Sequence, residues 1–372
     1  MEINLKEVKS RSEYSTFIHL PAKFHKNHPQ WIPPIWMDEK AFFDPKKNKS
    51  FAHCDTILLL AYRDKEPVGR IMGIIHNSYN QLKNEKNGRF GFLECYNDPE
   101  VAHALLYAIE KWAFQKGMTR MIGPYGFSDK DPQGFLIEGF EHLALIASSC
   151  NHPYMIQLVE NEGYSKEIDC LVYRLPVEFE LPEAHQRIFE RVQRNNSLKM
   201  IEFTSRKQLK PWVIPILELM NECFVDIYGF IALDDQEKKV FANRYLPVID
   251  PRFVKLITKN NEPVAFFIAL PNFSTGLQKS RGYLLPVGIF HIMRSMKRTK
   301  QLDMMLGGVK SVHQGLGLEV LMGLKMIESA KKAGFEQIEA HLVLETNYKM
   351  LAELQKLNAI PHKRFRVFQK TL

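Results

Sequence analysis

Near the C-terminal end of this 372-residue chain, Val309-Lys310-Ser311-Val312-His313-Gln314-Gly315-Leu316-Gly317 separates a strand-like run from a long amphipathic one. Such a pattern suits phosphate chemistry. Glycine lacks the Cβ that keeps a ligand away from the backbone, and the first N–H groups of the next helix carry a partial positive charge. Farther on, Leu344-Glu345-Thr346-Asn347 ends a second strand-like run and opens a helix that reaches Asn358. Along Gln337 to Glu345 the side chains alternate, which sets His341 and Glu345 on one face. An imidazole and a carboxylate there could take a proton from a nucleophile. Each also has a structural use, Glu345 beside the helix start at Asn347 and His341 as a hydrogen-bonded core residue.

These groups need elements to hold them. Val320, Leu324 and Ile327 recur at helical spacing after the glycine loop, and Gly334 supplies a stop. From Leu302 to Lys370 the order reads strand, glycine loop, helix, strand, Asn-led helix, strand. The front of the chain repeats this plan. Glu66-Pro67-Val68-Gly69 matches Glu262-Pro263-Val264-Ala265, and Asn151 matches Asn347; 262 minus 66 and 347 minus 151 are both 196. A shared offset predicts tandem copies of one fold. The first copy lacks the glycine loop, because Asn97-Asp98-Pro99-Glu100 forms an acidic helix start that repels an anion.

Length and a 45% hydrophobic content suit two cores rather than one. The expected division is residues 1–180 and 199–372, joined by a helical connector at 181–198 in which Glu183 to Asn195 is polar. Five cysteines show neither paired nor metal-ligand spacing, so reduced thiols, a cytoplasmic location and no metal are expected. No apolar run approaches the roughly 18 residues that a membrane span needs. The net charge of +8 is dispersed, which favours solvation over a nucleic-acid partner. One basic stretch stands apart, Leu284 to Lys300, with an apolar first half and Lys297, Arg298 and Lys300 at its end. The expected reading is a packed helix with cations at its negative pole, lining a groove as the alternative; a helix lying on a membrane surface has the same pattern.

The strand, loop and helix order from Leu302 to Lys370 resembles the acyl-CoA binding half of the GNAT acyltransferase superfamily. Over the whole chain, Phe17-Ile18-His19-Leu20-Pro21, Trp31-Ile32-Pro33-Pro34, Val68-Gly69-Arg70-Ile71, Gly91-Phe92-Leu93-Glu94 and Gly123-Pro124 look like a group of uncharacterised bacterial proteins of double-GNAT architecture. The resemblance implies an α/β fold of two tandem GNAT-like domains, each a mixed β-sheet flanked by helices. It implies an acyl-CoA-dependent N-acyltransferase that uses acetyl-CoA or another acyl-CoA, with Val309, Val312, His313, Gln314, Gly315, Leu316, Gly317 and Asn347 at the cofactor. Glu345 and His341 are the candidate catalytic groups, and a small-molecule or peptide amine the expected acceptor. In the superfamily's loop pattern Gln314 and Gly317 match, whereas Glu319 stands where a small residue is usual. Leu354 occupies the place of the usual tyrosine acid, and Tyr348 lies at the wrong helical angle to replace it. A non-catalytic CoA-binding sensor or scaffold and a Fem-type aminoacyltransferase remain as alternatives.

Overall fold

The computed structural model describes residues 2–146, 148–178, 183–194 and 197–372. Thirteen strands occur among them: β1 (Ile3–Glu7), β2 (Cys54–Arg63), β3 (Glu66–His76), β4 (Asn87–Cys95), β5 (Arg120–Gly123), β6 (Phe135–Glu138), β7 (Ser165–Pro176), β8 (Leu198–Glu202), β9 (Val254–Lys259), β10 (Glu262–Pro271), β11 (Gln301–Val309), β12 (Gln337–Leu344) and β13 (Ile360–Thr371). The helices are α1 (Arg11–His19), α2 (Pro21–Phe24), α3 (Trp36–Phe42), α4 (Asn77–Lys83), α5 (Pro99–Gln115), α6 (Tyr154–Asn161), α7 (Glu183–Gln193), α8 (Arg206–Leu209), α9 (Val213–Cys223), α10 (Asp235–Tyr245), α11 (Ser274–Ser280), α12 (Gly288–Arg298), α13 (Leu318–Lys332) and α14 (Tyr348–Lys356). Two compact units result. Unit 1 holds Met1–Leu171, Phe273–Ser295 and Lys363–Leu372; unit 2 holds Val172–Asn272 and Met296–His362. Each unit therefore takes in chain from both sides of the connector expected at 181–198. Of that connector, α7 is present, while residues 181, 182, 195 and 196 lie outside the described residues, as do 179 and 180 at the end of the first expected domain.

In unit 1 the strands run β1-β2-β3-β4-β5-β13, with β6 on β13. All these neighbours are antiparallel except β4 and β5, which run parallel. Their cover is α5. Its start is set by Pro99 at the first helical position and by Asp98, whose carboxylate accepts from the N–H groups of Glu100 and Val101. Val101, Leu105, Leu106, Ile109 and Ala113 form its buried stripe. Gly69 and Gly73 on β3 admit this stripe: a Cβ on Gly69 would stand 2.8 Å from Leu105 and Val101, and one on Gly73 2.9 Å from Ile57 and 3.0 Å from Ile109.

In unit 2 the order is β12-β11-β10-β9-β8, again mixed, with β11 and β12 parallel. Here α13 buries Leu318, Leu321 and Met322 against Ile257, Val264 and Ala265, while α9 covers Leu256 and Phe266. The predicted repeat is visible in the hairpins. Arg63 pairs Glu66 across the first turn and Lys259 pairs Glu262 across the second, and the register slips just past the proline in both. Asn151 departs from its expected role. The helix there begins at Tyr154, and Asn151 is instead a buried clamp whose amide bonds the N–H and carbonyl of Leu136 at 2.7 and 3.2 Å.

Candidate functional sites in the two units

Unit 2 carries the loop singled out by the sequence. Val309 ends β11 opposite Ala265, Ser311–His313 makes one tight turn, and Gly317 caps α13 in the left-handed region at φ 87°. The two glycines do different work. A Cβ on Gly315 would meet nothing within 4 Å, so its face is open, whereas one on Gly317 would lie 2.3 Å from Ile188 of α7. Both glycines are left-handed, Gly315 at φ 76°; Gly317 also makes room for Ile188, and Gly315 leaves a face that a ligand can approach. Val312 and Leu316 are exposed. Gln314 accepts from Lys349 at 3.0 Å, which places a cation beside the loop. Helix geometry leaves the first N–H groups of α13 without intrahelical acceptors, a ready site for phosphate oxygens.

The other predicted residues of unit 2 are placed as follows. Asn347 caps α14 by accepting from the N–H of Met350 at 3.2 Å. His341 follows Ala340, the last residue of β12 in register with β11, and Glu345 lies just past β12, half-buried. Leu354 is a core residue packed with Ala340 and Val343, so no acid stands at that place. Glu319 is half-buried, and its Oε2 has no hydrogen-bond partner in the protein.

Unit 1 holds a second constellation that sequence reasoning did not assemble. A cavity of ≈ 150 Å³ is lined by Trp31, Pro33, Glu39, Arg70, Glu94 and Asn151 among others. Arg70 and Glu94 face each other directly across β3 and β4. Just beyond that pair the register slips, and Phe92 adopts a left-handed φ of 53°. Such bulges re-aim side chains next to functional sites. Arg70, only 4% exposed, donates to Glu94 at 3.3 Å and to the carbonyl of Phe17 at 2.8 Å. The remaining polar atoms are Arg70 Nε and Glu94 Oε2, both buried with no hydrogen-bond partner in the protein. Burial pushes the Glu94 carboxyl above the ordinary range, and Arg70 pulls it back. Burial also pushes Glu39 up to about 7, again against Arg70.

A donor and an acceptor left open in a small lined cavity can take a polar group such as an amine or hydroxyl. The available sequence signal was a charge inside each of two apolar strand runs, Val68-Gly69-Arg70-Ile71 and Gly91-Phe92-Leu93-Glu94. The turn-rich loop from Phe127 to Gly134 closes nearby through Asp131, which accepts from Ser128 N at 3.1 Å and which burial pushes up to about 6.

The basic stretch does not form a packed helix throughout. On α12 Ile289, Phe290 and Met293 are exposed beside Arg294, Lys297 and Arg298, and Leu285 and Val287 just before it are exposed too. Phe290 is 67% and Leu285 79% exposed. Only the inner side, with Ile292, joins the cluster of Leu277, Ile32 and Ala144. The segment leading into α12 is anchored within unit 1, where Trp36 Nε1 donates to the carbonyl of Arg281 at 2.8 Å. No helix of the described residues is long and apolar enough to cross a membrane.

No family model matches the chain. It is 28% identical over 379 residues to a bacterial ceramide synthase of Caulobacter vibrioides, across 100% of this chain and 98% of that protein. It is also 23% identical to Protein YghO of Escherichia coli, across 98% of this chain and 94% of that one. Among solved structures it is similar to a tandem GNAT protein from the clavulanic acid biosynthesis pathway, with a TM-score of 0.55, 12% identity, and 100% and 98% of the two chains covered. A GCN5-related N-acetyltransferase from Sphaerobacter thermophilus matches with a TM-score of 0.50 at 10% identity, covering 99% of this chain and 95% of the other. The chain has the tandem GNAT fold that its sequence implied.

Proposed function

We propose that this protein is an acyl-CoA-dependent N-acyltransferase whose acceptor is a long-chain amine of the kind that acylation converts to a ceramide. In that reaction the amine nitrogen attacks the thioester carbonyl, a C–N bond forms, the C–S bond breaks, nitrogen loses a proton and the thiolate gains one. The open glycine loop of unit 2 supports the donor assignment, with the backbone from Gln314 to Gly317 facing the CoA phosphates and Lys349 beside them. The observation that carries the acceptor class is the full-length similarity to bacterial ceramide synthase. Two further features agree with it. Arg70 and Glu94 offer the open donor and acceptor that an amino alcohol head requires, and Glu94 is our candidate to take the amine proton. The exposed face of α12 suits an anionic lipid surface, apolar side chains entering the acyl boundary and Arg294, Lys297 and Arg298 meeting the headgroups.

Glu345 and His341 remain the alternative proton acceptors, next in chain to the Asn347 helix. The experiment is a matrix of acyl-CoAs of two to eighteen carbons against short and long amines, read by amide formation. Amide from a long-chain amino alcohol and not from short amines supports the reading. Tight CoA binding with no amide from any pair supports the sensor or scaffold instead.

A further inference from the structure

We propose that His25, His28 and His152 of unit 1 form a binding site for a transition-metal ion of the zinc class, with one imidazole nitrogen from each as ligand. All three ligand atoms lie within 4.8 Å of one another. His25 Nδ1 and His28 Nδ1 are 2.9 Å apart, and the two rings are tilted by only 29° with centroids 5.1 Å apart. They therefore meet edge to edge, nitrogen facing nitrogen, rather than face over face. A tetrahedral zinc with Zn–N bonds of 2.0–2.1 Å holds its nitrogens about 3.3 Å apart. Opening the His25–His28 contact by a few tenths of an ångström and exchanging the shared proton for a metal ion satisfies that geometry for the pair, and the ligand atom of His152, within 4.8 Å of the other two, closes in to complete it.

The ring of His152 lies nearly parallel to the other two, tilted 12° from His25 with centroids 4.9 Å apart and 24° from His28 at 4.5 Å, so a small rotation must bring its lone pair toward a shared ion. Its Nε2 lies 3.1 Å from the carbonyl of Phe24. In the neutral ring that contact is an Nε2–H donation, which leaves Nδ1 with a free lone pair; a backbone carbonyl fixing the tautomer is the usual outer partner of a ligating histidine.

The scaffold is rigid. His25 and His28 sit on consecutive tight turns after α2, with His25 N donating to Pro21 O and His28 N to His25 O. His152 is held between the clamp residue Asn151 and Pro153. Trp31 lies parallel to His25 at 5.1 Å, and Tyr154 parallel to His152 at 5.2 Å, so the rings have little freedom to turn away.

Burial disfavours the charged forms of His25 and His28. Three histidines leave a fourth position for water or another ligand, as in metal sites that exchange ligands. Trp31 and Asn151 border both this cluster and the Arg70–Glu94 cavity. The sequence shows no such spacing, because the third histidine is distant from the His25-x-x-His28 pair.

The test uses untagged full-length protein stripped with a chelator, titrated with zinc chloride by calorimetry and with cobalt(II) by visible absorption. The expected result is one saturable equivalent, the intense visible bands of four-coordinate cobalt, and a melting temperature that rises with zinc. His28→Gln and His152→Gln should each remove the saturable phase, while His103→Gln, at an exposed surface histidine, should leave it intact. If a histidine variant fails to fold, the wild-type cobalt spectrum decides alone. The proposal is overturned if wild type shows no saturable binding, if its cobalt spectrum is that of the aquated ion, or if both folded variants bind as wild type does. Either of the first two results makes the trio a hydrogen-bonded imidazole cluster only, and none of them bears on amide formation.

Discussion

The two units share a hairpin to the residue and part company where the fourth strand hands over to a helix. In unit 1 that helix opens on Asp98, whose carboxylate caps it and pairs with Arg63 at 2.7 Å. In unit 2 it opens on Gly317, with an open glycine two residues earlier and Lys349 at hand. The difference is electrostatic. The Asp98 side chain occupies the first N–H groups of α5 that a phosphate would otherwise use, whereas those of α13 carry no side-chain cap, although Glu319 stands half-buried in its first turn. The pocket chemistry runs the opposite way. Unit 1 buries Arg70 and Glu94 with open polar atoms, whereas the residue of unit 2 that matches Arg70 by the 196-residue offset is Phe266, a wholly buried core residue. On the proposed function, unit 2 would serve the donor and unit 1 the acceptor.

The largest expected effect separates the two candidate bases. Glu94→Gln should lower turnover ~10²–10⁴-fold with CoA affinity unchanged, while Glu345→Gln changes it much less. The reverse ranking, read from kcat and KM of both variants, would return the acid–base chemistry to unit 2. Next in size is the ion pair. Arg70→Met leaves Glu94 without its cation and should destabilise the fold by about 3–5 kcal/mol by chemical denaturation, with much of that recovered in Arg70→Met with Glu94→Gln.

The loops give a more moderate contrast. Gly315→Asp adds a negative charge on an open face and should weaken acyl-CoA binding about tenfold or more in a thermal-shift titration, whereas Asn97→Asp in unit 1 should not move it. Both glycines are left-handed, at φ 76° and 87°, so both variants carry backbone strain, but Gly317→Asp is the poorer probe because it also strikes Ile188 whatever the ligand does. The smallest effect concerns Glu39. Its folded pKa is raised to about 7 by burial, so the folded state holds a proton that the unfolded chain releases at lower pH. Stability should therefore fall as pH rises from about 4.5 to about 7, and Glu39→Gln should flatten that slope in melting curves.

Much of this layout was written in local sequence. The Asp98-Pro99 and Asn347 caps and the glycine loop are short-range signals with direct physical causes and fold as read, whereas Glu66-Pro67 and Glu262-Pro263 open strands β3 and β10 just after turns at Asp64-Lys65 and Asn260-Asn261. What escaped depends on register and burial. Arg70 and Glu94 become partners only because β3 pairs β4 in one register, and Asn151 became a clamp on Leu136 when its helix began two residues later than its repeat suggests. The face of α12 shows the same limit: its amphipathic pattern was plain, but which side meets water is set by where Leu277 and Trp36 anchor the insertion.

Product mass and thiol release, measured together, test the central claim most directly. Purified protein is incubated with a long-chain acyl-CoA and a long-chain amino alcohol on anionic vesicles. The account predicts an amide of the summed mass less water for the free acid and amine, one CoA thiol released per amide, and loss of both with Glu94→Gln. Thiol release without amide, or CoA binding without either, would contradict it.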